Sequence, residues 1–260
     1  MRMSQLLSQL VDEWLRDTRD PRVCSRLAAM QNGIMPRLHP PNVDEFVQAF
    51  AELSHTNHNI LAILTSSHLC DVVKNAQTAA EIVKGPAKLY IIDSQTTGPG
   101  LGALVQMTAQ MALRVSDGAQ LSRFVRGQVP HSYTAFCLQS LLSLSVSGHL
   151  DPAQAKIGEM LNLIPFYILD SGRLVPVQKA RSSRQIVDLL HEFASEFDHL
   201  EHIALLQGLP PYEQETRNLR DRLSQTFPLV PVSEHMLSAS LLALIGPRSL
   251  GLVAIEVGEL

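Results

Sequence analysis

Thr65, Ser66 and Ser67 set three hydroxyls in a row directly after the apolar run at 61–64, and helix-like residues follow as far as Val83. Hydroxyls in that position have three chemical uses. A serine oxygen can cap the helix by accepting from one of its free N–H groups. A helix N-terminus flanked by serine donors can hold an anion. A serine with a base in reach can act as a nucleophile, and His68, Cys70 and Asp93 are the candidates nearby. No G-x-S-x-G elbow surrounds the hydroxyls and no His–Asp pair can be assigned, so the nucleophile is the least supported use. The cap and the anion site both stay open.

Two other constellations invite chemistry and resist it. "IIDSQTTGPGLGALV" sets Gly98, Gly100 and Gly102 before a helix, but it contains neither G-x-G-x-x-G nor G-K-[ST]. A tight turn with close helix packing explains these glycines better than a phosphate does. His55 and His58 have i, i+3 spacing, yet they offer only two ligands with no carboxylate beside them, which favours a solvated turn over zinc.

The elements that must position these residues follow from pattern. Leu6, Leu7, Leu10, Val11 and Trp14 recur at helical spacing, with Asp12 and Glu13 among them, so the N-terminus reads as an amphipathic helix and not a signal peptide. Asn42 is placed to cap a helix, with Glu45 at the capping-box position. "NILAILTS" and "KLYIIDS" are short buried strands, each followed by a helix, and such strands without alternation indicate a parallel sheet covered by helices. "IPFYILDSGRLVPVQKA" is two apolar runs joined by Asp170-Ser171-Gly172, a hairpin signature. Beyond it, helices are expected at "SSRQIVDLLHEFASEF", at "YEQETRNLRDRLSQTF" and from about Met236. Strands are expected at "HIALLQG", "LVPVS" and "LGLVAIEV". The fold class expected is α/β with two α/β domains. The first, 1–128, has a mostly parallel sheet covered by helices; the second, 129–260, has a mixed sheet with helices.

Composition bounds the partners. Of 260 residues, 45% are hydrophobic, enough for a sizeable core, and 21 basic against 25 acidic residues give a net charge of −4. That balance points to neither nucleic acid nor an acidic membrane surface as a partner. Cys24, Cys70 and Cys137 are far apart and odd in number, which suits a reducing compartment. No run approaches the about 18 apolar residues that span a bilayer. A cytoplasmic protein without stable membrane insertion is expected.

Several stretches, in order, resemble the DegV family. "LHPPNVDEF" stands at that family's T-S-Q-P-S-P segment, "TSSHLC" at its S-S-G-L-S segment, and "IIDSQTTGPGLGALV" at its I-D-S-x-x-x-S-x-G-x-G turn. "GHLDPAQAKIGEMLNLIPFYILDSGRLVPVQKARSSRQ" follows its G-R-I, I-G-x-L-L-x-I-K-P and G-x-[IL]-x-P-x-x-K-x-R series, and "LIGPRSLGLVAIE" its closing G-P-G-A-L-G strand. The resemblance implies a protein that is not an enzyme, needs no cofactor and holds a fatty acid between two domains. It implies carboxylate contacts at Ser66 and Ser67, and a fatty acid kinase catalytic subunit as partner, with Arg181 supporting phosphotransfer. The departures are specific. A threonine and a histidine that meet the carboxylate in the family stand here as Leu38 and Leu244. His68 and Cys70 replace the Gly and Ser after the paired serines, His149 replaces the G-R-I arginine, and a helix-like segment replaces the N-terminal strand. A degenerate, non-binding interaction protein is the first alternative, and a serine hydrolase using Ser66 or Ser67 the second.

Overall fold

The computed structural model describes residues 39–208 and 211–256. The N-terminal helix expected from the sequence, the segment in place of the family's first strand, and Leu38 lie outside them. Within them the chain forms two compact units. One comprises His39–Thr134 with Leu169–Val175, and the other Ala135–Ile168 with Pro176–Ala254. The architecture is α/β, with a small parallel sheet and a larger mixed one.

Asn42 opens the first helix as its spacing predicts. Glu45 N–H donates to Asn42 Oδ1 at 3.0 Å, and Asn42 N–H donates to Glu45 Oε2 at 2.7 Å. This reciprocal box satisfies two donors that a helix start leaves unpaired and begins α1, Val43–Ser54. β1 (Asn59–Leu64), α2 (Val72–Ile82), β2 (Lys88–Asp93), α3 (Pro99–Met111) and α4 (Gly118–Gln128) follow. β1 and β2 pair in parallel, with Ile60 beside Leu89 and Ile63 beside Ile92. Phe50 of α1, Ile60 of β1, and Ala76 and Ala79 of α2 form the buried cluster of this unit, with Phe46, Leu89 and Ile91 packed against it. Apolar periodicity does not announce α4, because its buried face holds Leu121 and Val125 beside polar Ser122 and Gln128. Asp117 starts it, accepting from Ala119 N–H at 3.0 Å.

The larger sheet is built from β3 (Ser132–Leu138), β4 (Ile164–Asp170), β5 (Arg173–Ala180), β6 (Leu200–Gln207), β7 (Val232–Met236) and β8 (Ser249–Glu256). Its order is β5-β4-β3-β8-β6-β7. The expected hairpin is β4–β5. Its turn residues Ser171 and Gly172 have φ of 49° and 81°, the left-handed pair that suits a two-residue hairpin loop. The helices of this half are α5 (Leu142–Val146), α6 (Pro152–Met160), α7 (Ser183–Ala194), α8 (Glu213–Thr226) and α9 (Ala239–Ile245). Asp151 caps α6 ahead of Pro152, accepting from Ala153 and Gln154 N–H at 2.8 and 3.2 Å. α7 buries Ile186, Val187, Leu190, Phe193 and Ala194, a face at helical spacing.

Two boundaries differ from expectation. The strand expected at "LVPVS" lies further on as β7, and the helix expected from about Met236 begins at Ala239. β7 runs through polar Ser233, Glu234 and His235 because it pairs in parallel with β6, from Ile203↔Val232 to Gln207↔Met236. Polar side chains suit its place at the sheet edge. Ser238 then starts α9, accepting from Leu241 N–H at 3.3 Å.

The β6–β7 pair carries a titratable link. His202 Nε2 lies 2.7 Å from Ser233 Oγ, and His235 Nε2 lies 2.8 Å from the same oxygen. One hydroxyl proton serves one imidazole, so the chain of bonds wants an unprotonated ring nitrogen. Burial lowers the pKa of both histidines; the nearby Glu201 opposes this at His202, and His202 itself adds to it at His235. A folded pKa below the unfolded value means the fold favours the neutral ring. The stability gained is complete above the ordinary imidazole pKa and is lost as pH falls through the folded values. The urea midpoint should therefore drop between about pH 7 and about pH 5. The drop should be smaller in a His202→Asn, His235→Asn double variant, and an unchanged slope would remove these histidines from the effect.

Candidate functional site

The three hydroxyls after β1 do three different things. Thr65 Oγ1 donates to Thr96 O at 3.1 Å. Ser66 is fully buried; its Oγ donates to Gly172 O at 2.8 Å and accepts from His68 N–H at 3.2 Å. The Ser67 side chain is exposed, while its N–H donates to the Asp93 carboxylate, 3.3 Å from each oxygen.

Neither serine caps α2. The N-cap is Asp71, whose negative charge suits the positive end of the helix. Between them Leu69 N–H donates to Ser66 O at 3.0 Å, closing a turn that buries Leu69. The expectation that both hydroxyls sit at the N-terminus of α2 is corrected accordingly: burying Leu69 requires a turn there, and α2 begins only at Val72.

The end of β2 completes the arrangement. Asp93 Oδ1 accepts from Gln95 N–H at 2.9 Å and so supports Gln95 at a φ of 52°, a left-handed conformation uncommon outside glycine. That bend turns the Thr96 carbonyl back toward β1. It accepts from Ser66 N–H at 3.0 Å and from Ser94 Oγ at 3.2 Å, in addition to Thr65. Thr96 Oγ1 lies 3.4 Å from Ser132 Oγ and 3.3 Å from Thr134 Oγ1. A Cβ on Gly100 would stand 2.4 Å from Thr96 Oγ1 and 2.5 Å from Ser132 Oγ. Close packing over this hydroxyl cluster thus accounts for Gly100, and a φ of 56° for Gly98, while a Cβ on Gly102 would meet nothing within 4 Å. Gly172, at the hairpin tip, is equally constrained: a Cβ there would stand 2.3 Å from Ser66 Oγ and 3.1 Å from Gln95 Cα.

The chemistry available differs between the two serines. The Ser66 proton is engaged by a carbonyl oxygen, an acceptor that cannot serve as a general base. Ser67 presents an exposed hydroxyl beside a carboxylate. Arg181 lies in the other unit and is exposed. Its N–H donates to Gln185 Oε1 at 2.7 Å while Gln185 N–H donates to Ser182 Oγ at 3.3 Å, which starts α7. Leu244, at the position of the family's histidine, is only 3% exposed within α9. His149 N–H donates to Leu144 O at 2.8 Å. His55 and His58 are exposed in the turn before β1. Among the described residues no three His, Cys, Asp or Glu side chains gather to hold a metal, and no helix is long and apolar enough to cross a membrane. Burial pushes the Cys137 thiol up to about 12, leaving it unreactive. The residues that spacing leaves unmarked are Thr96 and Gly172. The Ser66–Gly172 bond joins positions 106 apart in the chain, and no local signal announces it.

The sequence and fold have clear counterparts. A family model described as "Uncharacterised protein, DegV family" matches residues 9–257. A DegV domain-containing protein of Clostridium perfringens is 27% identical over 224 residues, 84% of this chain and 78% of that one. Among solved structures, a fatty acid binding DegV family protein from Streptococcus agalactiae superposes with a TM-score of 0.79 at 17% identity, covering 91% of this chain and 83% of the other. The Streptococcus pneumoniae fatty acid kinase (Fak) B3 protein, loaded with linoleic acid, gives 0.78 at 18% identity, covering 90% and 84%. At such identities these two likenesses establish the fold.

The geometry separates the two serines by experiment. Ser66→Ala removes a buried bond and leaves the Gly172 carbonyl without its donor, and should cost about 1–3 kcal/mol in urea unfolding. Ser67→Ala alters an exposed side chain and should stay within about 0.5 kcal/mol. Equal costs would contradict the division of roles.

Proposed function

The chain belongs to the DegV family, and from that premise we propose that it is a lipid-binding protein that holds a fatty acid by its carboxyl group and is not itself a catalyst. The observation that carries this reading is the family match across residues 9–257. The likeness of the fold to proteins described as fatty acid binding, one of them loaded with linoleic acid, supports it. Ser66 and Ser67 are the proposed carboxyl-binding residues, with separate tasks. Ser67 offers the exposed hydroxyl. Ser66 holds the turn that presents it, through Gly172 and His68. A hydrogen bond to a charged carboxylate is worth about 1.5–3 kcal/mol, so the donor at Ser67 and the turn that presents it both matter to affinity.

The proposal extends to a partner. A separate kinase catalytic subunit would phosphorylate the bound carboxyl group, and Arg181, exposed just before α7, would steady the transferring phosphoryl group by its fixed charge. His149, standing where the family has arginine, offers fewer donors than a guanidinium fork and so makes that support weaker.

One set of observations favours a second reading, a degenerate member that serves as an interaction protein. The Ser66 hydroxyl already donates to Gly172 O, the Asp93 carboxylate already occupies the Ser67 N–H, and Leu244 supplies no polar contact.

Native mass spectrometry of the protein purified from its host separates the two readings: a co-purified acyl chain is expected, and its absence together with no binding in titration favours the second. Against wild type, the Ser66→Ala, Ser67→Ala double variant should bind fatty acid about 10-fold more weakly or worse, at 1.4 kcal/mol per decade. Equal affinity would free both serines from the role. In reactions with a fatty acid kinase catalytic subunit, Arg181→Ala should slow phosphorylation of the bound fatty acid without weakening its binding. An unchanged rate removes Arg181 from the transfer.

A further inference from the structure

Asp93, at the end of β2, carries a charge that is met by backbone and by no cation. Its Oδ1 accepts from Gln95 N–H at 2.9 Å, and both of its oxygens accept from Ser67 N–H at 3.3 Å. The ion pairs among the described residues join Arg220 to Asp221 and Glu234, and Arg222 to Asp188, and none of them reaches Asp93. Arg126 turns its Nη2 to Ile91 O at 2.8 Å. In the segments that flank the turn, His68 and Arg173 stand against two further acids, Asp71 and Asp170. A carboxylate accepts up to about four hydrogen bonds, and Oδ2 has only its share of the Ser67 N–H. Of the two serine hydroxyls, Ser66 is engaged by Gly172 O, and Ser67 is exposed. An open acceptor and a hydroxyl therefore stand side by side. Ser67 Oγ and the N–H that touches Asp93 belong to one residue, so a single head group reaches both.

We propose that Asp93 selects the head group of the acyl ligand by charge: an uncharged head that can donate a hydrogen bond is accepted, and a carboxylate anion is disfavoured. This rests on the reading above, in which Ser67 meets the head group, and goes further by fixing the charge state of what is held. A fatty acid is bound as the protonated acid, and a primary alcohol on the same chain takes the same place. The O–H of the head donates to Asp93 Oδ2, a bond of the short, charge-assisted kind. The other partner, Ser67 Oγ, donates to an oxygen of the head. An ionised fatty acid has no proton to give to Asp93, so it forfeits the first bond and meets a like charge at close range instead. The Ser67 N–H cannot offset that repulsion, because the Asp93 carboxylate already occupies it.

Calorimetric titration of the full chain with dodecanoic acid and with dodecanol, at about pH 7 in buffers of different ionisation enthalpy, tests this. Dodecanol should bind the wild type about 10-fold more tightly than the acid. Binding of the acid should take up about one proton from the buffer, since a free carboxyl group is ionised at that pH, and binding of the alcohol should take up none. Asp93→Asn keeps an acceptor for Gln95 N–H and removes the charge. It should bind the acid about 10-fold more tightly than wild type does, without proton uptake, so that the preference reverses. A purely structural Asp93 would weaken both ligands alike, and that result overturns the proposal. A wild type that prefers the acid and takes up no proton also overturns it, while leaving fatty-acid binding intact. A wild type that binds neither ligand removes the lipid-binding reading and the proposal with it. Should Asp93→Asn fail to fold, the wild-type preference and proton count decide.

Discussion

The carbonyl of Thr96 is the point on which the hydroxyl turn depends. Three donors converge on it, the Ser66 N–H, Thr65 Oγ1 and Ser94 Oγ. They come from the chain just past β1 and just past β2, so one acceptor ties together the exits of both strands. It can do so only because Gln95 adopts a positive φ, which the Asp93 side chain supports from two residues earlier. A bend of the opposite hand would turn the carbonyl away and leave these buried donors unpaired, at a cost comparable to lost hydrogen bonds. Everything specific about Ser66 and Ser67 follows from that one orientation. The Ser66 backbone is pinned, its hydroxyl meets Gly172 O, and Ser67 is carried outward beside Asp93.

Much of the fold was legible because the relevant forces act over a few residues. The Asn42–Glu45 box and the Ser171-Gly172 hairpin turn are each set by side chain and backbone groups within four positions of one another. Runs of apolar residues located β1, β2, β6 and β8 for the same reason. α4 was hidden because two of its buried residues, Ser122 and Gln128, are polar. β7 was misplaced because its extent is fixed by its partner: Ser233, Glu234 and His235 are strand residues on account of β6.

The candidate site was legible only in part. The row of hydroxyls drew attention for a sound reason, since short polar side chains at a strand exit generally do something. Which of them is structural and which is exposed depended on a hairpin far along the chain, and composition and periodicity carry no record of that meeting. The resemblance to the DegV family supplied the ligand class, and it could do so because motif order survives where individual residues change. Leu244 illustrates the limit. It is a substitution visible in the sequence, and its burial in α9 gives it a packing role in place of the polar one.

β8 lies between β3 and β6 in the larger sheet, buried along all but one of its residues, yet it follows every other strand of that sheet in the chain. On a translating ribosome the group β5-β4-β3 and the pair β6-β7 are therefore made before the strand that joins them. For an interval on the order of seconds at ordinary elongation rates, each presents an open edge to solvent or to a neighbouring nascent chain. Holdase chaperones that recognise exposed strand edges thus have a defined window in which to act on this protein, and a ribosome stalled between β7 and β8 would release a product that cannot close its own sheet.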